Sequence, residues 1–395
     1  MSSPPADLRS HDFRKILLIK LSAVGDVVQT IPVLNKLRRR YPAARLDWLT
    51  TPAMAELLRP NPAINNVIEF AREEWSDPWR LAPFASSARL IGRLRAADYD
   101  LVLDLQGQLR SAIFALATGT PVRIGFDRPR ARVWAASRKV PEDFRKHSWQ
   151  GAREGSWLAY THHIPLPTLD VHAVDHFLSV AAMLGLDADP ADFSFPIPQS
   201  AGDRIDSLLR RHGGGGGAAH LVVIAPSGNW ETKRWGGEKF AEVARHFLQR
   251  GYAVILVGAA RDHAVCDNIA RLAPGVLDFT GETTLSELAA LIRRAAICVA
   301  HDSGPMHLAV ALDRPVVGLF GPSDPVWAGP YRRHGAVLRA ELPCSPCYLR
   351  QLSRCMHAHA CMQDVSARAM IERMESILQQ NAGDAGLVEA QGSGA

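Results

Sequence analysis

Apolar runs alternate along the chain with segments in which apolar residues recur every three or four positions. The runs include KILLI from Lys15, LVLDL from Leu101, LVVIA from Leu221 and ICVA from Ile297. Segments such as LSELAALIRRA, from Leu285, have the period of amphipathic helices. Apolar strands that alternate with such helices are typical of a parallel sheet covered on both faces. The pattern therefore predicts an α/β fold.

The pattern occurs twice, which predicts two doubly wound domains in series. Each half opens with a strand, a turn and a helix: KILLIKL and SAVGD in the first half, HLVVIAP and SGNWETKRW in the second. The segment DADPADFSFPIPQ, residues 187–199, is rich in proline and aspartate and is typical of a domain boundary. We expect a first domain over residues 1–190, a second over residues 191–380 and a disordered tail over residues 381–395.

Composition and charge narrow the class of protein. The chain has 395 residues, of which 47% are hydrophobic and 22% charged, as in soluble globular proteins. It contains neither an apolar run of membrane-spanning length nor an N-terminal apolar core of signal-peptide type. We therefore expect a cytoplasmic protein with reduced thiols. The net charge of +5 favours anionic partners, but the charges are not dense enough to indicate nucleic-acid binding.

The segment HDSGPMHLA, from His301, is the clearest indication of a ligand site. It follows the apolar run ICVA, and Pro305 suits the first turn of a helix. Ser303 and Gly304 would then offer free backbone N–H groups to an anion. The turn SGNWETKRW adds the cation Lys233 at a second strand end. Two such turns in one domain favour a bound nucleotide diphosphate over the alternative, an ordinary helix cap beside a core histidine.

The motifs KLSAVGDVVQT, SGNWETKRW, HDSGPMHLA and GLFGPSDP resemble, in order and spacing, those of glycosyltransferase family 9, the bacterial heptosyltransferases. The resemblance covers residues 15–374, and LDLQG and HAVD resemble segments of the heptosyltransferase I branch. It implies a GT-B fold, in which two Rossmann-like doubly wound domains face each other across a cleft. It also implies that the last helix packs back on the N-terminal domain.

The same resemblance implies a reaction and a location. The family transfers L-glycero-D-manno-heptose from ADP-heptose to the inner core of lipopolysaccharide, and it needs no cofactor. The implied acceptor is Kdo–lipid A or the heptosylated core. The protein would work at the cytoplasmic face of the inner membrane, as a peripheral protein.

Roles for individual residues also follow from the resemblance. It assigns the nucleotide sugar to the second domain and the acceptor to the first. The implied nucleotide-sugar residues are Ser227, Gly228, Lys233, Asp262, Thr283, Asp302, Ser303, Gly304 and His307. The implied acceptor residues are Gly25, Gln106, Arg128 and Arg130.

Asp26, beside Gly25, is the expected general base. Inverting glycosyl transfer needs a base that takes the proton of the acceptor hydroxyl. A helix N-terminus favours the ionised carboxylate. Lys233, the second expected catalytic residue, would neutralise the charge that develops on the leaving ADP. Asp26 is also a natural helix cap, and that role is compatible with catalysis.

Two patterns raise the question of metals. Asp187 and Asp189 form a D-x-D motif, but it lies in the boundary segment, so we expect a solvated turn and no catalytic metal. The segment PCSPCYLRQLSRCMHAHAC contains Cys344, Cys347, Cys355 and Cys361. The C-x-x-C pair suits a structural zinc or iron site, and reduced free thiols are the alternative. The cluster resembles those of some family 9 members, more in the heptosyltransferase II branch than in the first. The sequence therefore does not decide between the two branches.

Two basic segments have less specific signals. RPRARVWAASRK, residues 128–139, suits acidic groups of the acceptor or a membrane surface. The cluster of Lys36, Arg38, Arg39 and Arg40 is expected to be a solvated face.

Other classes of protein share parts of these patterns. A dinucleotide oxidoreductase would normally have G-x-G-x-x-G at its first turn, which SAVGD lacks. A non-catalytic binding module would need denser charge around the cysteines. A family 9 transferase that uses another sugar nucleotide or acceptor is the remaining alternative. The sequence does not indicate the oligomeric state.

Overall fold

The structure is a computed structural model that describes residues 7–70, 82–128, 151–166, 168, 170–213 and 220–392. The chain forms two units, Met1–Pro196 and Ile197–Ala395. The division falls within the proline- and aspartate-rich segment 187–199. In the described part of the chain, no helix has both the length and the apolar character needed to cross a membrane.

The first unit contains a parallel sheet of six strands in the order β3-β2-β1-β4-β5-β6. All of β1 beyond its first residue is buried, because helices cover both faces of the sheet. The strands are β1 Lys15–Ile19, β2 Arg45–Thr50, β3 Asn66–Glu69, β4 Leu101–Asp104, β5 Val122–Phe126 and β6 His162–Ile164.

The helices of the first unit follow the strands as the alternating pattern predicts. The first of them, Val24–Arg40, begins directly after the turn that follows β1. The others are Pro52–Leu58, Ala82–Ala96, Leu109–Ala117, Ala173–Leu178 and Ala181–Leu184, with a 3-10 turn at Ser156–Ala159.

The second unit contains another parallel sheet of six strands, in the order β12-β11-β10-β7-β8-β9. Its central strands are again apolar and buried, which explains the uninterrupted hydrophobic runs of the sequence. The strands are β7 Leu221–Ala225, β8 Ala253–Leu256, β9 Leu277–Asp278, β10 Ala295–His301, β11 Val316–Leu319 and β12 Val337–Leu338.

Among the described residues, the second unit has more helices than the first. Its helices are Gln199–Arg211, Gly237–Gln249, His263–Leu272, Leu285–Arg293, Gly304–Ala311, Pro325–Ala328, Ala360–Gln363 and Ala367–Gly392. Its 3-10 turns are Glu231–Lys233, Ala260–Asp262, His334–Ala336 and Leu352–Arg354.

The last helix differs from the sequence expectation. It continues to Gly392, so most of the segment expected as a disordered tail is helical. Six of the twelve residues 381–392 are alanine, leucine, glutamate or glutamine, which are good helix formers. Met370 and Met374 are buried in the core of the second unit, with Trp235 and Phe240. Packing of this helix on the first domain stays a prediction.

The basic cluster at the end of helix Val24–Arg40 is not a solvated face. Lys36 is buried, with 3% of its side chain exposed, and it forms an ion pair with Asp187. Its ammonium group also donates to the backbone oxygens of Asp187 and Asp189. Arg39 binds the other oxygen of the Asp187 carboxylate at 3.1 Å. The cluster therefore fastens the boundary segment to the first helix, and the D-x-D motif is an ion-pair partner and not a solvated turn.

Candidate active site

A crevice lies at the carboxyl ends of β7 and β10. Open α/β sheets bind ligands in a crevice of this kind. From β7 the chain proceeds to β8 and β9 on one side, and then crosses to β10 and β11 on the other. The loops after β7 and β10 therefore leave the sheet in opposite directions. These loops contain the SGNWETKRW turn and the start of HDSGPMHLA.

Lys233 and Asp302 meet at this crevice. The ammonium group of Lys233 donates to Asp302 Oδ2 at 2.7 Å and to the backbone oxygen of Asp302 at 3.2 Å. It also lies 4.2 Å from the ring centroid of Trp230, a cation–π distance. Each side chain of the ion pair is only 12% exposed. Two of the three ammonium hydrogens are used, so one is left for a ligand.

The electrostatics of the pair keep Asp302 ionised. Burial raises the pKa of the Asp302 carboxyl, but the charge of Lys233 and the contact with His307 outweigh it and hold the pKa below its usual range. His307 Nε2 lies 3.8 Å from Asp302 Oδ1. The crevice thus contains a buried anion that is matched by a buried cation.

The helix Gly304–Ala311 begins beside this pair. Ser303 is its N-cap and Pro305 occupies its first turn, as the sequence predicts. Its N-terminal N–H groups and dipole favour a negatively charged ligand. Ser227 Oγ, at the end of the β7 strand, is buried and has no hydrogen-bond partner among the described residues. An unsatisfied hydroxyl and a free helix N-terminus are features of a polar ligand site.

The remaining nucleotide residues lie along the same edge of the sheet. Gly228 follows β7, Asp262 follows β8 and Thr283 follows β9. An added Cβ at Gly228 would lie 3.1 Å from Lys233 Cβ, which leaves little room for a larger residue. Strands lie about 4.8 Å apart, so the strand ends from β10 to β9 form a row roughly 14 Å long. Asp262 Oδ2 accepts from the backbone N–H of Ala259 and shapes its own loop.

His301 closes the floor of the site. It is the last residue of β10, fully buried, with its ring edge-on to Phe240 at 5.4 Å. Burial lowers the pKa of His301 to about 4. The imidazole is therefore neutral near pH 7.

Asp26 lies at the corresponding position of the first sheet. There the strand order changes direction between β1 and β4. Asp26 Oδ2 accepts a hydrogen bond from the backbone N–H of Ala23 at 3.2 Å, so Asp26 caps the helix that begins at Val24. Within the described residues, no hydrogen bond reaches its other carboxylate oxygen. Gly25 is buried in the same first turn.

Gln106 braces the turn that precedes Asp26. Its Oε1 accepts from the backbone N–H groups of Leu21 at 3.0 Å and Ser22 at 3.4 Å. Lys20 adds a second brace, because its buried ammonium group donates to the backbone oxygen of Leu105 at 2.8 Å. Burial lowers the pKa of the Lys20 ammonium group, and the negative charge of Asp26 offsets part of this shift. A contact of Gln106 with an acceptor stays a prediction.

One of the two arginines expected at the acceptor lies within the described residues. Arg128 is exposed, and its backbone N–H donates to the side chain of Asp127. Arg130 and most of the basic segment 128–139 lie outside the described residues.

Sequence reasoning missed Trp230, Arg261 and Arg350 at the second site. The Trp230 ring contacts two cations: the Lys233 ammonium group lies 4.2 Å from its centroid and the Arg350 guanidinium lies 5.1 Å from it. Arg261 donates to Asn229 Oδ1 at 2.9 Å and joins the loops after β7 and β8. Trp230 stands inside the SGNWETKRW motif, but nothing local in the sequence indicates a partner more than a hundred residues away.

The four cysteines gather in one loop but do not have the spacing of a metal centre. The other three thiols lie close enough to Cys361 to add to burial in raising its pKa to about 12. Among the described residues, three ligand atoms within 4.8 Å of one another occur at His263, Asp267 and Asp278, and the cysteines form no such group. The four thiols are thus not already arranged as a metal site, and a structural zinc or iron stays a prediction.

The segment that contains these cysteines, residues 344–361, instead braces the Lys233 turn through hydrogen bonds. Thr232 Oγ1 donates to the backbone oxygen of Leu349 at 2.5 Å, and His359 Nε2 lies 2.6 Å from the backbone oxygen of Thr232. Glu231 accepts from the backbone N–H of Leu352 at 3.1 Å. The loop thus supports the turn that presents Lys233.

Two parallel α/β units in series, each with polar residues at the point where its strand order reverses, are the architecture of GT-B glycosyltransferases. The chain matches glycosyltransferase family 9 (heptosyltransferase) over residues 87–148 and 143–357, and it belongs to this family. The sequence expectations for the family, the fold class and a glycosyltransferase activity are confirmed.

Individual relatives agree with this assignment. The chain is 32% identical over 337 residues to lipopolysaccharide heptosyltransferase 1 of Pseudomonas aeruginosa, covering 84% of this chain and 86% of that protein. It is 31% identical over 325 residues to lipopolysaccharide heptosyltransferase 3 of Escherichia coli, covering 78% and 87%.

Solved structures share the fold. A family 9 glycosyltransferase of Veillonella parvula superposes with a TM-score of 0.73 at 22% identity, covering 93% of this chain and 98% of that one. The E. coli heptosyltransferase WaaC with ADP-2-deoxy-2-fluoro heptose superposes with a TM-score of 0.68 at 23% identity, covering 92% and 99%.

Proposed function

We propose that this protein transfers L-glycero-D-manno-heptose from ADP-heptose to the inner core of lipopolysaccharide. The observation that carries the proposal is the buried Lys233–Asp302 pair beside the N-terminus of helix Gly304–Ala311. A cation and free N–H groups at one crevice suit a diphosphate that must leave with negative charge. The names of the relatives, lipopolysaccharide heptosyltransferases 1 and 3, support heptose as the transferred sugar and lipopolysaccharide as the acceptor class.

The proposed donor site lies along the carboxyl ends of β10, β7, β8 and β9. The pyrophosphate would lie at Lys233, Ser303 and Gly304, with His307 beside it. Asp262 would accept hydrogen bonds from the ribose, and Thr283 would lie near the adenine. Ser227 would use its unpaired hydroxyl, and Gly228 would leave room for the ligand.

Asp26 is the proposed general base. The acceptor hydroxyl oxygen attacks the anomeric carbon of the heptose as the bond from that carbon to the ADP oxygen breaks, which inverts the configuration. The hydroxyl proton passes to Asp26, and the electron pair of the broken bond leaves on ADP. The cap uses only Oδ2 of Asp26, so the second oxygen can take the proton. Lys233 neutralises the departing charge.

The acceptor would bind to the first unit. Gly25 and Gln106 lie at the turn before Asp26, and Arg128 and Arg130 would hold acidic groups of the acceptor. Kdo–lipid A is the acceptor that we infer, and the heptosylated core is the alternative. The relatives include heptosyltransferases numbered 1 and 3, which leaves the step open. A lipid acceptor implies a peripheral protein at the cytoplasmic face of the inner membrane.

ADP binding tests the donor site. The variant Lys233→Met removes a charge-assisted hydrogen bond, and we expect calorimetry to give a Kd for ADP about tenfold or more higher. Arg245→Met, which removes an exposed charge elsewhere in the second unit, is the control. Because Lys233→Met leaves Asp302 buried without its cation, Lys233→Met/Asp302→Asn is measured as well. Unchanged ADP affinity in both Lys233 variants would contradict the donor site.

A matrix of donors and acceptors identifies the step. We expect transfer from ADP-heptose and none from UDP-sugars, with Kdo–lipid A preferred over the heptosylated core. Mass spectrometry of the lipid product gives the added mass. A preference for the heptosylated core would assign a later step, and transfer from UDP-sugars alone would contradict the donor.

A further inference from the structure

The helix Leu109–Ala117 presents a row of apolar side chains to solvent. Leu109, Ile113 and Leu116 are 48%, 39% and 50% exposed. Their spacing of four and three residues puts them on one face of the helix. A contiguous apolar row on a protein surface is typical of a surface that binds a partner or a membrane.

The neighbouring 3-10 turn enlarges this apolar surface. The turn Ser156–Ala159 packs against helix Leu109–Ala117, and its Leu158 is 81% exposed. In the described part of the chain, the other large apolar side chains that are exposed are Leu352 and Met356, in the second unit. Among the described residues of the first unit, the large apolar side chains that are exposed are therefore concentrated at this one place.

The two helices at this surface have side-chain charges of one sign. Helix Ala82–Ala96 packs against helix Leu109–Ala117. The sequences of these two helices, APFASSARLIGRLRA and LRSAIFALA, contain four arginines and neither aspartate nor glutamate. Arg93 and Arg95 are exposed. Outside these helices, Glu154 adds one negative charge at the start of the row, where its carboxylate accepts from the backbone N–H of Leu109.

We propose that this surface, helices Ala82–Ala96 and Leu109–Ala117 with Leu158, docks on an anionic phospholipid bilayer. The apolar side chains would enter the boundary between headgroups and acyl chains, and the arginines would meet the lipid phosphates. A second copy of the chain fits less well, because the same arginines would face each other.

Docking in this way would serve the proposed function. Helix Leu109–Ala117 starts three residues after Gln106, at the carboxyl edge of the first sheet where Asp26 also lies. A lipid acceptor would then enter from the bilayer beside that edge. The inference extends the proposed transfer reaction, but its test uses no sugar transfer, so either can fail without the other.

Vesicle sedimentation with the full chain tests the apolar row. We expect binding to vesicles of equal parts phosphatidylglycerol and phosphatidylcholine, and much weaker binding to phosphatidylcholine alone. The variant Leu109→Ser/Ile113→Ser/Leu116→Ser should lower the partition coefficient about tenfold or more, because three apolar groups no longer enter the bilayer. Leu352→Ser/Met356→Ser, which changes exposed apolar residues of the second unit, should bind like the unaltered protein.

A pair of charge variants tests the arginines. Arg93→Gln/Arg95→Gln should weaken binding to the anionic vesicles by about fivefold for each arginine, and the loss should shrink at high salt. Arg245→Gln/Arg271→Gln removes the same net charge from exposed positions of the second unit and should have little effect. Thermal unfolding of each variant checks that the fold is intact.

Two results would overturn the proposal. One is vesicle binding that the Leu109/Ile113/Leu116 variant and the Arg93/Arg95 variant leave unchanged. The other is a concentration-dependent dimer in analytical ultracentrifugation that the apolar variant abolishes, because the row would then be an interface between two copies.

Discussion

Lys233 and Asp302 make each other's burial possible. Each is 12% exposed, and a buried charge without a partner is strongly unfavourable. The sequence shows both residues at strand ends, and the parallel order of β7 and β10 explains why they meet. What the sequence does not show is that Lys233 is already paired before any ligand binds. The pair arises from the register of the two strands, which is a property of the whole sheet.

His301, directly before Asp302, gives a pH dependence that can be measured. Burial lowers its pKa to about 4 from an ordinary value of about 6.5. Between these values the unfolded chain binds a proton that the folded protein does not, so the folded state loses stability as pH falls through this range. The full difference is on the order of 3 kcal/mol.

The variant His301→Gln should remove this contribution. We expect the free energy of unfolding of the unaltered protein to fall more steeply than that of the variant between pH 6.5 and pH 4. Urea unfolding at several pH values measures both slopes. Equal slopes would contradict a neutral, buried imidazole at this position.

At the scale of elements, the sequence predicts the central strands more clearly than the short edge strands. The apolar runs of β1, β4, β7 and β10 are clear in the sequence because both of their faces are buried. The strands β9 and β12 have two residues each and exist only because a neighbouring strand pairs with them. Such edge pairings depend on tertiary structure and leave no local pattern. The same holds for the contact of Arg350 with Trp230.

The basic end of helix Val24–Arg40 shows how composition alone can mislead. Four cations in five positions indicate a solvated face, yet Lys36 points into the first unit. Its aliphatic neighbours in the helix are buried, and the boundary segment supplies the carboxylate and the carbonyl oxygens that its charge needs.

Lys36→Met should therefore destabilise the first unit. The change should cost about 1–3 kcal/mol, because the backbone oxygens of Asp187 and Asp189 lose a buried donor, while the partly exposed Asp187 carboxylate keeps Arg39. Arg39→Gln, which changes a partly exposed partner of the same Asp187, should cost about 1 kcal/mol or less. Urea unfolding compares them, and equal small losses would contradict the buried pair.

At the scale of the molecule, the chain consists of two units that repeat one architecture with different chemistry. Both sheets reverse their strand order beside the first strand, and both place a polar turn there. The turn of the second unit combines a cation and a helix N-terminus, as suits an anionic leaving group. The turn of the first unit places a carboxylate at the helix start. In our proposal, the glycine-containing turn of the first unit therefore positions a general base, Asp26, and does not bind a phosphate.

The proposed mechanism needs no metal ion. The carboxylate of Asp187, in the D-x-D motif, is held by Lys36 and Arg39, and Lys233 can neutralise the leaving group. We expect the initial rate of heptose transfer to be unchanged in EDTA. Loss of activity that magnesium or manganese restores would contradict this part of the mechanism.

The central claim is that Asp26 takes the acceptor proton, and the variant Asp26→Asn tests it most directly. Asparagine can still cap the helix, but it cannot accept the proton. We predict that release of ADP from ADP-heptose in the presence of Kdo–lipid A slows by about a hundredfold or more, while the Kd for ADP and the unfolding temperature stay close to those of the unaltered protein. A rate within a few fold of the unaltered enzyme would show that Asp26 only caps its helix, and would contradict the account.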